Sequence, residues 1–118
     1  LYVSEDFGET WSAPMSHNIP FSSSKIYSGT LSDRRNYVIG NVEPGRSKLA
    51  IFFSEPGSMT FTKEVVLQDG FSEQFGFGSM WHYPCAYEYN GSLYVIYSAN
   101  VTDSDRGAVV SVMDLAKL

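Results

Sequence analysis

The chain has 118 residues, a net charge of −5 and a pI near 4.8, with 43% hydrophobic and 15% aromatic residues. That length holds one ordinary domain of roughly 100–150 residues, and the aromatic share suits a β-rich core. The acidic balance without a basic stripe argues against a nucleic-acid partner, and no apolar run approaches the roughly 20 residues of a membrane-spanning helix. The single Cys85 excludes an internal disulfide framework and a zinc-type cysteine cluster.

In chain order, residues 4–11 read Ser-Glu-Asp-Phe-Gly-Glu-Thr-Trp, a hairpin signal. Asp6 can accept backbone N–H groups of its own turn, and Gly8 can take the positive φ that a tight turn needs. Thr10 and Trp11 suit a return strand, with Trp11 large enough to wedge between neighbouring strands. Residues 15–24 form a connector between Pro14 and the Ser22-Ser23-Ser24 cluster. A four-strand unit follows, with strands expected over 25–31, 35–41, 46–54 and 60–67. The turn at Ser32-Asp33-Arg34 leaves Arg34 and Arg35 as solvated charges. Residues 68–80 form a connector rich in Gly and Phe (Phe71, Phe75, Phe77), which covers the ends of the sheets or lines a groove. A third unit runs over 81–89, 93–98 and 107–115, its first two strands joined at Asn90-Gly91-Ser92, a strong hairpin turn. Gly, Ser, Asn and Pro interrupt the apolar runs every 8–12 residues, which is the all-β pattern.

Ser4, Asp6, Gly8, Thr10 and Trp11 fill the spacing Ser-x-Asp-x-Gly-x-Thr-Trp. This spacing resembles the Asp-box, the BNR repeat motif of the sialidase (neuraminidase) superfamily of six-bladed β-propellers. Its role in that family is structural, folding a turn away from the active site. Residues 54–61 keep the register through Ser54, Thr60 and Phe61, with Pro56 in place of the Asp and Ser58 in place of the Gly, and are read as a decayed second copy. The repetition favours a propeller over a Greek-key sandwich, the fallback fold. Blades take roughly 40–50 residues and rings need about 4–8 of them. The chain is therefore expected to supply two to three four-stranded antiparallel blades, as the C-terminal part of a longer protein. The expected layout is one partial propeller domain over 1–118: a hairpin ending one blade at 1–14, one blade at 25–68, and an incomplete last blade at 81–118.

Residues 41–97 also resemble the last catalytic segment of sialidases, in which an Arg opens a strand and a catalytic Tyr lies on a later one. Arg46 takes the position of that Arg and Tyr83 that of the Tyr. Asn90-Gly91 takes the turn, and residues 93–97 take the following apolar strand. The resemblance implies an exo-sialidase type of glycoside hydrolase acting on a terminal, anionic sugar. Arg46 would grip the substrate carboxylate through paired, charge-assisted hydrogen bonds. Tyr83 would be the nucleophile, the known exception to carboxylate nucleophiles among glycosidases. A Glu base is needed because a phenol titrates near 10, and a separate Asp acts as acid and base. These groups and two further Arg come from earlier blades, and neither Glu88 nor Asp33 is nominated in their place. Pro84 stands where the family usually has Ser.

His82 is a candidate pocket hydrogen-bond donor, and Arg106 a candidate glycan contact at the opening of the last strand. Asp103 and Asp105 are too few for a calcium site, so no metal and no cofactor are expected. The expected partners are a carbohydrate and the remaining blades of the ring, in a secreted or periplasmic setting, with the isolated piece inactive. Asn90-Gly91-Ser92 and Asn100-Val101-Thr102 have the N-glycosylation spacing. Two other functions fit the same residues: a non-catalytic glycan-binding propeller, and a hydrolase or lyase for another polysaccharide.

Overall fold

The computed structural model describes residues 1–76, 78, 80–100 and 106–118. Phe77, Asp103, Asp105 and the last two positions of the Asn100-Val101-Thr102 spacing lie outside the described residues.

The described strands form two antiparallel meanders. The first comprises β1 (Tyr27–Thr30), β2 (Arg35–Asn41), β3 (Lys48–Pro56) and β4 (Phe61–Asp69), in that order. The second comprises β5 (Met80–Tyr89), β6 (Ser92–Asn100) and β7 (Arg106–Asp114), also in chain order. Asn90 and Gly91 both take positive φ, 49° and 77°. That is the two-residue turn whose twist matches its flanking strands.

β3 shows why the sequence reads as it does. Leu49, Ala50, Ile51, Phe52, Phe53 and Ser54 are all buried, as expected of a central strand covered on both faces. Leu49, Ile51 and Phe53 pack toward the second sheet, against Trp81, Leu93, Val95, Tyr97 and Ala99. Ala50 and Phe52 point the other way, to Ile19, Phe21 and Phe61. Gly40 lets this second cluster close, since a Cβ there would stand 2.7 Å from the Phe21 ring.

Polar bonds tie the sheets in register. Asn41, wholly buried, donates to the carbonyls of Lys48 at 3.0 Å and Trp81 at 2.8 Å. Tyr27 Oη donates to the Ala86 carbonyl at 3.1 Å. The Glu88 carboxylate accepts from the Ser32 N–H at 2.8 Å and hydroxyl at 2.6 Å. Tyr97 Oη joins Gln68 at 2.9 Å and Ser111 at 2.7 Å. Tyr37 lies in the same core beside Tyr27, and burial, with Tyr27 adding to it, pushes its phenol up to about 12.

Four expectations change. Arg46 does not open a strand: it sits in a tight turn, Pro44–Arg46, ahead of β3. Gly45 and Arg46 there take φ of 87° and 62°, left-handed values outside the β region of a regular strand. Arg35 is not a free solvated charge, because it meets Asp33 at 2.6 Å and lies 5.9 Å over the Phe53 ring. Its guanidinium, chiefly by hydrogen bonding, holds the Asp33 carboxyl below its ordinary value. Trp11 does not wedge between strands: its side chain folds back on its own turn and stays 61% exposed. Residues 10 and 11 form no return strand; the ends of the segment are joined by the Ser12 N–H to the Val3 carbonyl at 2.8 Å and the Val3 N–H to Ser12 Oγ at 3.0 Å.

Candidate functional site

The site forms where the start of β5 meets the Pro44–Arg46 turn and the connector ahead of β1. β5 carries a bulge there: His82 pairs with Ser98 and Cys85 with Ile96, so two residues, Tyr83 and Pro84, oppose Tyr97. A bulge re-aims a side chain and interrupts the ladder. It also suits Pro84, which has no N–H to contribute. Tyr83 takes a φ of 54°, a left-handed conformation that costs roughly 1–3 kcal/mol for a residue with a Cβ. The phenol side chain is thereby held on the outer face, 49% exposed.

Three side chains surround the Tyr83 ring. The His82 imidazole meets it edge to face, with centroids 4.6 Å apart and planes at 88°. The Arg46 guanidinium carbon lies 5.4 Å from the ring centroid, and the Lys25 ammonium 5.8 Å. Each cation gains about 0.5–1 kcal/mol from the negative face of an exposed ring. His82 itself is 4% exposed, and its Nε2 lies 2.9 Å from Asn100 Oδ1. With an amide oxygen as acceptor, Nε2–H is the donor of this bond. Nδ1 is buried and meets no hydrogen-bond partner among the described residues. Beside Arg46 opens a shallow depression of about 410 Å³, lined also by Ser22, Ser23, Pro44, Gly45 and Met80.

Of the residues singled out in the sequence, Arg46, His82 and Tyr83 come together. Arg106 begins β7 opposite Asn100, the partner of His82, and is exposed without a ring contact to Tyr83. Glu88 and Asp33 are engaged elsewhere, with Ser32 and Arg35. No carboxylate among the described residues hydrogen-bonds to the Tyr83 phenol. Lys25 and Asn100 were not anticipated. Lys25 stands just ahead of β1 with no local motif, and Asn100 is the last residue of β6, so only their spatial partners mark them.

The residues of the repeat spacing lie apart from this site and stabilise their own turn. Asp6 Oδ1 accepts from the Thr10 N–H and the Ser4 hydroxyl, each at 2.8 Å, and Asp6 Oδ2 accepts from the Thr10 hydroxyl. Ser4 Oγ takes the Gly8 N–H at 2.7 Å, and the Trp11 indole N–H reaches the Gly8 carbonyl at 3.2 Å. These bonds, the Thr10 hydroxyl first, hold the Asp6 carboxyl down at about 2.

Two stacked antiparallel meanders make this an all-β protein built of sheets like the blades of a β-propeller. The family model of the BNR repeat-like domain matches residues 2–105, and the chain belongs to that family. No curated protein and no solved structure matches the chain.

Proposed function

We propose that the chain is part of a sialidase-like glycoside hydrolase that cleaves a terminal, anionic sugar, with Tyr83 as nucleophile and Arg46 as a ligand for the sugar's carboxylate. The observation that carries this reading is the Arg46 guanidinium 5.4 Å over the ring of Tyr83, itself held outward by the bulge. A carboxylate nucleophile would be repelled by a substrate carboxylate beside the reacting carbon. A phenol is not, and a guanidinium fork binds that carboxylate in a fixed orientation. His82 packs against the ring edge and fixes its orientation.

The acid–base carboxylates belong, on this reading, to other blades of a six-bladed ring, and the chain alone is inactive. The outer face of the second sheet supports further blades. Tyr87, Tyr94 and Val112 align across it, as do Ile96 and Val110, and all five are exposed. A contiguous apolar face of this kind is characteristic of an interaction surface. A secreted or periplasmic setting accords with a glycan substrate.

The test is hydrolysis of a fluorogenic sialoside by the complete polypeptide that carries this chain, beside its Tyr83→Phe variant. Turnover that the variant loses is the expected result. Turnover unchanged by Tyr83→Phe removes the nucleophile assignment. A second reading, a glycan-binding propeller without catalysis, is favoured by the lack of a carboxylate at the phenol among the described residues. It predicts sialoside binding with no turnover by either form.

A further inference from the structure

The chain is acidic, at −5, yet two cations from unrelated segments converge on one exposed ring. Lys25 comes from the connector ahead of β1 and Arg46 from the turn between β2 and β3, and they lie 5.8 and 5.4 Å from the Tyr83 centroid. Three other cations have internal counterions: Arg35 meets Asp33, Lys48 meets Glu43 and Lys117 meets Asp114, whereas Arg34, Lys63 and Arg106 have none among the described residues and stand over no ring. Among the described residues neither Lys25 nor Arg46 has a carboxylate within 4.0 Å. Measured through the ring centroid the two cations are at most about 11 Å apart, and like charges at that range still repel where salt does not screen them. A ring face compensates only weakly, and an anion placed between or beside them relieves the repulsion.

We propose that Lys25 is a second cation of the glycan site and binds the acidic group of the sugar together with Arg46. This rests on the reading of Tyr83 and Arg46 as a glycan site. The two cations differ in what they recognise. Arg46 presents a planar fork that matches both oxygens of a carboxylate, whereas Lys25 is a point charge on a flexible stem. Lys25 therefore sets preference for an acidic over a neutral sugar, and Arg46 sets the orientation in which it binds.

The experiment compares binding of the methyl glycoside of N-acetylneuraminic acid with that of its methyl ester, which has nearly the same shape and no charge. Binding is followed by calorimetry on the complete polypeptide, with wild type, Lys25→Met, Lys25→Arg and Arg46→Met in parallel. Lys25→Met is expected to weaken the acid about tenfold, the loss of one charge-assisted contact. The ester should be unaffected and Lys25→Arg should restore the acid. A Lys25 that only steadied the Tyr83 ring would change acid and ester alike, and that result overturns the proposal. So does a Lys25→Met variant that binds the acid as wild type does while Arg46→Met weakens it, although the glycan reading then stands. A wild-type protein that binds neither ligand, or both equally, overturns the proposal and the reading beneath it.

Discussion

Two turns of this chain share one sequence design and hold together in opposite ways. In the turn over residues 4–11, the Asp6 carboxylate and the Ser4 hydroxyl collect the bonds from within the turn itself. In the turn over residues 54–61, Pro56 stands where the carboxylate would be; the Ser58 N–H still reaches the Glu55 carbonyl and the Thr60 N–H the Ser58 Oγ, each at 3.0 Å, but the side-chain bonds that replace the carboxylate come from outside. Asn36 donates its backbone N–H to Ser54 Oγ at 3.0 Å and its side chain to the Ser58 carbonyl at 2.7 Å. Asn18 brackets Phe61, donating to its carbonyl at 2.6 Å and accepting its N–H at 3.2 Å. Gly57, with φ 74°, takes the place of Phe7, which together with Gly8 is left-handed in the first turn, at 57° and 88°. The final aromatics diverge accordingly: Trp11 is 61% exposed and Phe61 is 7% exposed. A turn that supplies its own acceptors stands without a sheet beside it. A turn that has lost its carboxylate persists because the sheet and connector around it hold its ends.

The sharpest break of this contrast is Phe61→Ala. It removes a buried ring from the cluster with Ile19, Ala50 and Phe52, and denaturant unfolding should show a loss of about 3–5 kcal/mol. Asn18→Ala leaves the Phe61 N–H and carbonyl without their partner, and the same measurement should show a loss of about 1–2 kcal/mol. A loss below a few tenths would mean that water replaces Asn18 without cost, and the second turn would not depend on its surroundings.

Asp6→Ala should act locally. The Thr10 amide, which donates to Asp6, should exchange rapidly with solvent while amides of β3 and β6 keep their protection. The same dependence appears in pH. In the folded chain the Asp6 carboxyl is held down at about 2, below its ordinary value of 3.8. The unfolded chain therefore takes up the proton first, and the stabilisation is fully present above about pH 4 and lost as pH falls through about 2. An Asp6 carboxyl titration by NMR with a midpoint near the free value would refute the self-contained turn. The smallest effect is expected for Trp11→Ala, within about 0.5 kcal/mol. A larger loss in this chain would mean that Trp11 packs on more than Gly8.

Much of the fold was legible because strand periodicity and turn chemistry are local. The strand expected over 93–98 is β6, and its Leu93, Val95 and Tyr97 are buried; Ala99, beyond that expected strand, belongs to it and is buried as well. Asn90-Gly91 places its turn, and the apolar residues within 46–54 mark β3, whose burial on both faces only the packing revealed. Arg46 was misplaced because a strand start and a turn end look alike when the deciding residue, Gly45, precedes it by only one position. The bulge at Tyr83 was equally invisible, since Pro84 signals an irregular backbone without stating which side chain it turns outward.

The sequence by itself determined the all-β class, the order of the strands and the bonds within the first turn. Each depends on residues within a few positions of one another, and an Asp that bonds a Thr four residues on needs no distant partner. Only the tertiary structure decided that Lys25, Arg46 and Tyr83 face one another, that His82 turns inward to Asn100, and that Trp11 stays in solvent while Phe61 is buried. The three segments around Tyr83 are separated by some 20 to 40 residues. No local preference encodes their meeting. It follows from the packing of one sheet on the other, in which each apolar face takes its place against a neighbour that the chain reaches only after folding back.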